Sequence, residues 1–181
     1  MKDIKIKQTN IVVEKKIQKD IFFYESILDN VDTKSFIKEI ELGINSKDNM
    51  NHRTNVHGQM TSWNYFDKNV HLNEILSFCL DHFKLDSKIP NSYLADSWGI
   101  KMKKNCFTRP HDHGEATLSG IIYLNTMKNS YVEFPELDFK TKIIKNKIIL
   151  FSGNLTHQTK RITNNNIKYA LSFNFRRNRN W

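Results

Sequence analysis

Cysteine, proline and glycine are all scarce in this chain: two, three and six residues out of 181. Cys79 and Cys106 form no Cys-x-x-Cys pair, so neither a zinc ribbon nor a disulfide framework is available. Both read as reduced structural thiols, Cys79 on the apolar face of a helix and Cys106 just before a strand. Sparse Pro and Gly leave no linker-like stretch, no low-complexity tract and no internal repeat. No run approaches the ~18 consecutive apolar residues that a membrane span needs. The opening residues, Met1 to Lys7, alternate polar and apolar, a strand pattern rather than the apolar centre of a signal peptide. A cytoplasmic protein is therefore expected.

What is present is ordinary for a globular chain: 39% hydrophobic and 26% charged residues. The length suits one domain with a real core. The expectation is a single domain over residues 1–181. Residues 1–90 would be a helical and strand support, and residues 91–177 the core that carries the site. The net charge of +9 can attract nucleic acid or an acidic substrate, but the lysines are scattered, as in a simple lysine- and asparagine-rich bias. The one dense cluster, Arg176-Arg177-Asn178-Arg179, reads as a solvated basic end or a phosphate-binding tail.

Residues 3–17 read as two short strands around Gln8-Thr9-Asn10. Asp32 suits an N-cap, with Phe36, Ile37 and Ile40 on one face of a helix ending near Leu42-Gly43. A polar loop over 45–53 precedes an extended stretch over 54–66, with Trp63 and Tyr65 on one side. Leu72, Ile75, Leu76, Cys79, Leu80 and Phe83 recur at helical spacing and predict an amphipathic helix over 71–84. Short strands follow at roughly 93–104, 117–125, 130–135, 140–144, 147–152 and 169–176. Helices first and strands after predict a β-rich α+β fold. Its core would be a jelly roll or cupin-like sandwich with two or more flanking helices.

The chemistry concentrates in Arg109-Pro110-His111-Asp112-His113-Gly114-Glu115 and the strand that follows. His111 and His113 stand at i and i+2, so an extended backbone points both imidazoles to one face, where they can share one ion. His157 follows the apolar run 147–152 and a Ser-Gly-Asn turn, placing a third imidazole at a strand end. Three such ligands on one face of a metal leave positions for co-substrate and dioxygen. Asp112 would point away, and Glu115 is a reserve ligand, at i+2 from His113. His52, His57, His71 and His82 lack any such context.

The run His-x-His, a short loop, then Leu118-Ser119-Gly120-Ile121-Ile122-Tyr123-Leu124-Asn125 resembles the 2-oxoglutarate/Fe(II) oxygenase superfamily, its small bacterial and phage members in particular. Phe151-Ser152-Gly153 through His157 to Tyr169-Ala170-Leu171-Ser172-Phe173-Asn174-Phe175 is similar to the second half of that pattern. The likeness spans about residues 93–176, with Thr61-Ser62-Trp63 a loose match before it. It implies a double-stranded β-helix core and a hydroxylase of dioxygenase type. The enzyme would couple oxidative decarboxylation of 2-oxoglutarate to hydroxylation of a substrate. It also implies His111 and His157 as the first and distal iron ligands. Most of the superfamily has Asp or Glu where this chain has His113, a departure that leaves more positive charge on the metal. Lys168 stands where the superfamily places a cation for the far carboxylate of 2-oxoglutarate, with Arg161 the competitor and the hydroxyls of Tyr123 and Ser119 as further donors. Two rivals remain. One is a cupin-like three-histidine metal enzyme that does not use 2-oxoglutarate. The other is a basic β-domain that binds nucleic acid or carbohydrate through Trp63, Trp98 and Trp181 without catalysis.

Overall fold

The computed structural model describes residues 21–46 and 54–178. The expected strands within 3–17, most of the 45–53 loop, His52, Arg179 and Trp181 lie outside the described residues.

Among the described residues, two α-helices form where capping and periodicity agree. Helix α1 (Thr33–Ile44) starts at Asp32, whose carboxylate accepts from the Ser35 N–H at 3.0 Å. Helix α2 (Val70–His82) starts at Asn69, which accepts from the Leu72 N–H at 2.9 Å, and it buries Leu72, Leu76 and Cys79. None of the described helices is long and apolar enough to cross a membrane.

The strands are β1 (Phe23–Ile27), β2 (Val56–His57), β3 (Gln59–Met60), β4 (Ser92–Met102), β5 (Phe107–His111), β6 (Leu118–Tyr123), β7 (Tyr131–Phe134), β8 (Phe139–Lys142), β9 (Lys147–Ser152), β10 (His157–Thr159) and β11 (Lys168–Arg177). They pair antiparallel in two sheets, ordered β1-β9-β6-β11-β4-β3 and β2-β5-β10-β7-β8. The β-rich sandwich with flanking helices is therefore as expected. Strands β1, β5 and β10 are additions to that expectation. The stretch 54–66 is extended only at β2 and β3; Trp63 packs on Trp98, whereas Tyr65 packs on Phe66.

Each sheet face has its own task. Leu118 and Ile122 of β6, and Leu171, Phe173 and Phe175 of β11, join Phe36, Ile40, Leu72 and Leu76 in a core beneath the helices. Each such side chain fully buried stabilises the fold by roughly 1.5–3 kcal/mol. A Cβ on Gly99 would lie 2.4 Å from Ile40, so glycine there lets α1 seat directly on β4. The opposite faces look into the sandwich, where Trp98, Ile100, Met102, Val132, Phe134 and Phe151 form a second core. Three inward positions of β11, on either side of Ala170, differ from these: Lys168, Ser172 and Asn174 are polar, yet all are buried. A buried polar row on a strand needs partners or a ligand.

Candidate metal centre

His111 ends β5 and lies directly across from His157, the first residue of β10. His113 reaches the same place from the loop after β5. Its N–H donates to the Gly153 carbonyl at 2.7 Å. Gly153 is what permits that approach, because a Cβ there would sit 2.0 Å from the Ala116 carbonyl oxygen. One turn thus fastens the His-x-His loop to the strand that delivers His157.

The ring centroids are 5.2 Å apart for His111 and His113, 4.3 Å for His111 and His157, and 5.0 Å for His113 and His157. One ring nitrogen from each lies within 4.8 Å of the other two. Each Nδ1 faces an oxygen: Arg109 O at 2.9 Å from His111, Asn174 Oδ1 at 2.6 Å from His113, and Leu155 O at 3.4 Å from His157. Carbonyl and amide oxygens only accept, so each Nδ1 carries the proton and donates it. Each Nε2 is left with a lone pair. The His113 Nε2 is buried with no hydrogen-bond partner.

Burial lowers all three basicities. His113 falls to about 4 through burial and then the neighbouring His111, His157 falls well below the usual histidine range through burial first, and His111 is lowered by burial. Neutral imidazole is the form that ligates a metal. Three convergent neutral donors, one an orphaned buried atom, fit a divalent transition metal. Among the described residues no carboxylate joins this group. Glu115, the reserve ligand, is exposed, and Asp112 is turned outward, accepting from the Gly114 N–H at 3.0 Å.

Behind His113 runs a chain of hydrogen bonds absent from the sequence reading. Asn174 Nδ2 donates to Asp96 Oδ1 at 2.6 Å, and Arg176 Nη2 lies 3.3 Å from Asp96 Oδ2. Ser119 Oγ donates to Asn174 Oδ1 at 2.7 Å, so its hydroxyl serves this chain. A bulge in β4 at Ala95 lies beside it, between the Asp96–Asn174 and Leu94–Phe175 pairs. Arg176 is therefore engaged at the site rather than part of a free basic end.

A small internal chamber of about 40 Å³ adjoins the three histidines, and Tyr123, Thr159 and Lys168 also line it. The Tyr123 hydroxyl and Thr159 Oγ1 are buried without hydrogen-bond partners among the described residues. Lys168 is 5% exposed, and no carboxylate of the described residues lies within 4 Å of its ammonium. Burial pushes its basicity down to about 8. Thr159 carried no signal in the sequence beyond standing two residues past His157. Arg161 does not line this chamber; it donates to the Asn105 carbonyl at 2.9 Å.

From the histidines a groove of about 640 Å³ opens to solvent between Trp63, Trp98, Asp96, Asp112 and Arg176. Trp98 is not an exposed aromatic: it is 4% exposed, and its Nε1–H is buried and unpartnered.

No protein-family model matches the chain, and no curated protein sequence matches it either. Solved structures do match. A viral collagen prolyl hydroxylase from Paramecium Bursaria Chlorella virus-1, solved with 2-oxoglutarate, superposes at a TM-score of 0.68 and 14% identity, covering 88% of this chain and 97% of that one. A Pseudomonas putida prolyl-4-hydroxylase gives 0.65 and 12%, covering 86% and 92%. HygX from Streptomyces hygroscopicus, solved with nickel and 2-oxoglutarate, gives 0.61 and 10%, covering 96% and 87%. The shared fold is a double-stranded β-helix.

Proposed function

We propose that the chain is a non-haem Fe(II) oxygenase using 2-oxoglutarate as co-substrate. One observation carries this reading: three convergent neutral imidazoles share a chamber with a buried ammonium that has no counter-ion among the described residues. A metal site beside an unpaired internal cation suits a ligand that both chelates and carries a second negative charge. The solved structures of the same fold with 2-oxoglutarate bound support the choice of ligand.

His111, His113 and His157 would hold the iron. Lys168 would pair with the far carboxylate, with the hydroxyls of Tyr123 and Thr159 donating beside it. Ser119 is too distant for that role. Its four-residue separation from Tyr123 spans about 13 Å of strand, and its hydroxyl is engaged by Asn174. Bound iron would supply dioxygen activation, and the reaction balances as 2-oxoglutarate, dioxygen and R–H giving succinate, carbon dioxide and R–OH. The protein's own part is positioning. Asn174 and Asp96 fix the His113 ring, as partners behind metal ligands commonly do. Trp63 and Trp98 wall the groove by which a substrate C–H bond would approach and limit water there. Residues 91–177 would supply the metal and co-substrate ligands, and the preceding segment would brace them and add Trp63 to the groove.

His113 in place of a carboxylate favours a three-histidine enzyme independent of 2-oxoglutarate as the second reading. Lys168 speaks against it. The nucleic-acid reading finds little support at the groove, where Asp96 and Asp112 face the single cation Arg176. Succinate release separates these readings. Iron-loaded wild type should convert 2-oxoglutarate to succinate in air, and His157→Ala should not. Iron-loaded protein that consumes no 2-oxoglutarate would leave the second reading in place.

A further inference from the structure

Lys168 and Thr159 line a second space besides the chamber. This is a pocket of about 420 Å³ between β7, the end of β10 and the loop leading to β11. Its charged lining is Lys128, Lys160, Arg161 and Lys168 against one carboxylate, Glu133. That carboxylate is already engaged, by Gln158 Nε2 at 3.0 Å and Lys160 Nζ at 3.2 Å. Lys128 has no acidic partner among the described residues. The groove on the metal side has the opposite balance, with Asp96 and Asp112 against Arg176. The chamber therefore has a basic neighbour and an acidic mouth.

We propose that the basic pocket is a second binding site for small dicarboxylates, an outer station through which the dianion reaches and leaves Lys168. Clefts lined by one sign of charge raise the local concentration of the opposite ion and speed its arrival by roughly 10- to 1,000-fold. A dianion coming through the groove would instead pass two carboxylates against one guanidinium. The shared wall consists of groups suited to hand it over: a buried unpaired ammonium and a hydroxyl whose oxygen has no partner. With such a station, succinate can leave while the groove is still filled. The role in turnover rests on the oxygenase reading; the affinity for dicarboxylate does not.

The test uses metal-free full-length protein at low salt, titrated with 2-oxoglutarate and separately with succinate, and followed by backbone amide ¹H–¹⁵N shifts. The expected result is saturable shifts at residues 128–131 and 160–168 with both ligands. Lys128→Glu combined with Arg161→Glu should weaken them about tenfold or more. Lys128→Glu alone breaks no described bond and should weaken them in the same direction should the double variant fold poorly. Amides at 128–131 and 160–168 that stay unmoved while those at 111–113 shift would overturn the station. Shifts at the pocket in a protein that, once iron-loaded, yields no succinate would uphold the site and sink the oxygenase reading alone.

Discussion

Two lysines are buried to nearly the same depth, Lys147 at 6% exposure and Lys168 at 5%, and their surroundings are opposite. The Lys147 ammonium meets Glu25 at 3.3 Å and Thr141 Oγ1 at 2.6 Å. Lys168 has no such carboxylate among the described residues, and two of the hydroxyls lining its chamber, those of Tyr123 and Thr159, also lack partners there. A buried charge is costly unless paired. Lys147 is therefore a structural group whose needs are met within the fold. Lys168 meets no such carboxylate among the described residues, and its burial costs stability that the proposed co-substrate would offset. The same contrast holds around the chamber. Asn174, Ser119 and Asp96, outside its lining, satisfy one another behind His113, whereas the hydroxyls of Tyr123 and Thr159 within it have no partner among the described residues.

The largest expected effect is on co-substrate affinity. Lys168→Met should weaken 2-oxoglutarate binding about thirtyfold or more, the cost of about 2 kcal/mol for removing one side of a desolvated ion pair. Lys147→Met should leave that affinity unchanged, as measured by calorimetric titration of the metal-loaded protein. Next, Asn174→Ala should lower Fe(II) affinity about 10- to 100-fold, since it frees the His113 ring to turn; competition with a metal chelator measures this. Ser119→Ala should have a smaller effect in the same direction.

Stability should separate the lysines in sign. Lys147→Met strands Glu25 and should lower the melting temperature. Lys168→Met should raise that of the metal-free protein by about 2–4 °C for each kcal/mol of relieved desolvation. The pH dependence follows. Burial puts the Lys168 basicity near about 8 in the native protein against 10.5 ordinarily. Between those values the unfolded chain binds the extra proton, so the Lys168 contribution to metal-free stability becomes more favourable as pH rises through that window. Over the same rise the native ammonium is lost, so 2-oxoglutarate binding should weaken above about pH 8. Lys168→Met should abolish both trends.

Much of this was legible in the sequence, for identifiable reasons. The α2 periodicity and the strand runs after residue 92 reflect sidedness, which a helix or a half-buried strand must display. The histidines could be grouped because i,i+2 spacing and a strand end are local features. Strands β5 and β10 escaped notice because Pro110 interrupts the first and the second is three residues long. Thr159, the burial of Trp98 and the Asp96–Asn174 chain escaped because their meaning lies across strands: Asp96 and Asn174 are 78 residues apart in sequence. Ser119 was grouped with Tyr123 because they share a strand face, which fixes direction but not position along the strand. The acidic and basic surroundings of the chamber were hidden too, since a net charge of +9 says nothing of where it gathers.

The most direct measurement is an anaerobic titration of the Fe(II)-loaded protein with 2-oxoglutarate, read in the visible charge-transfer band of the chelate. Wild type should develop a saturable band, Lys168→Met should require about thirtyfold or more ligand to reach it, and His157→Ala should develop none. Iron held by the three histidines with no band at any concentration of 2-oxoglutarate would contradict the account.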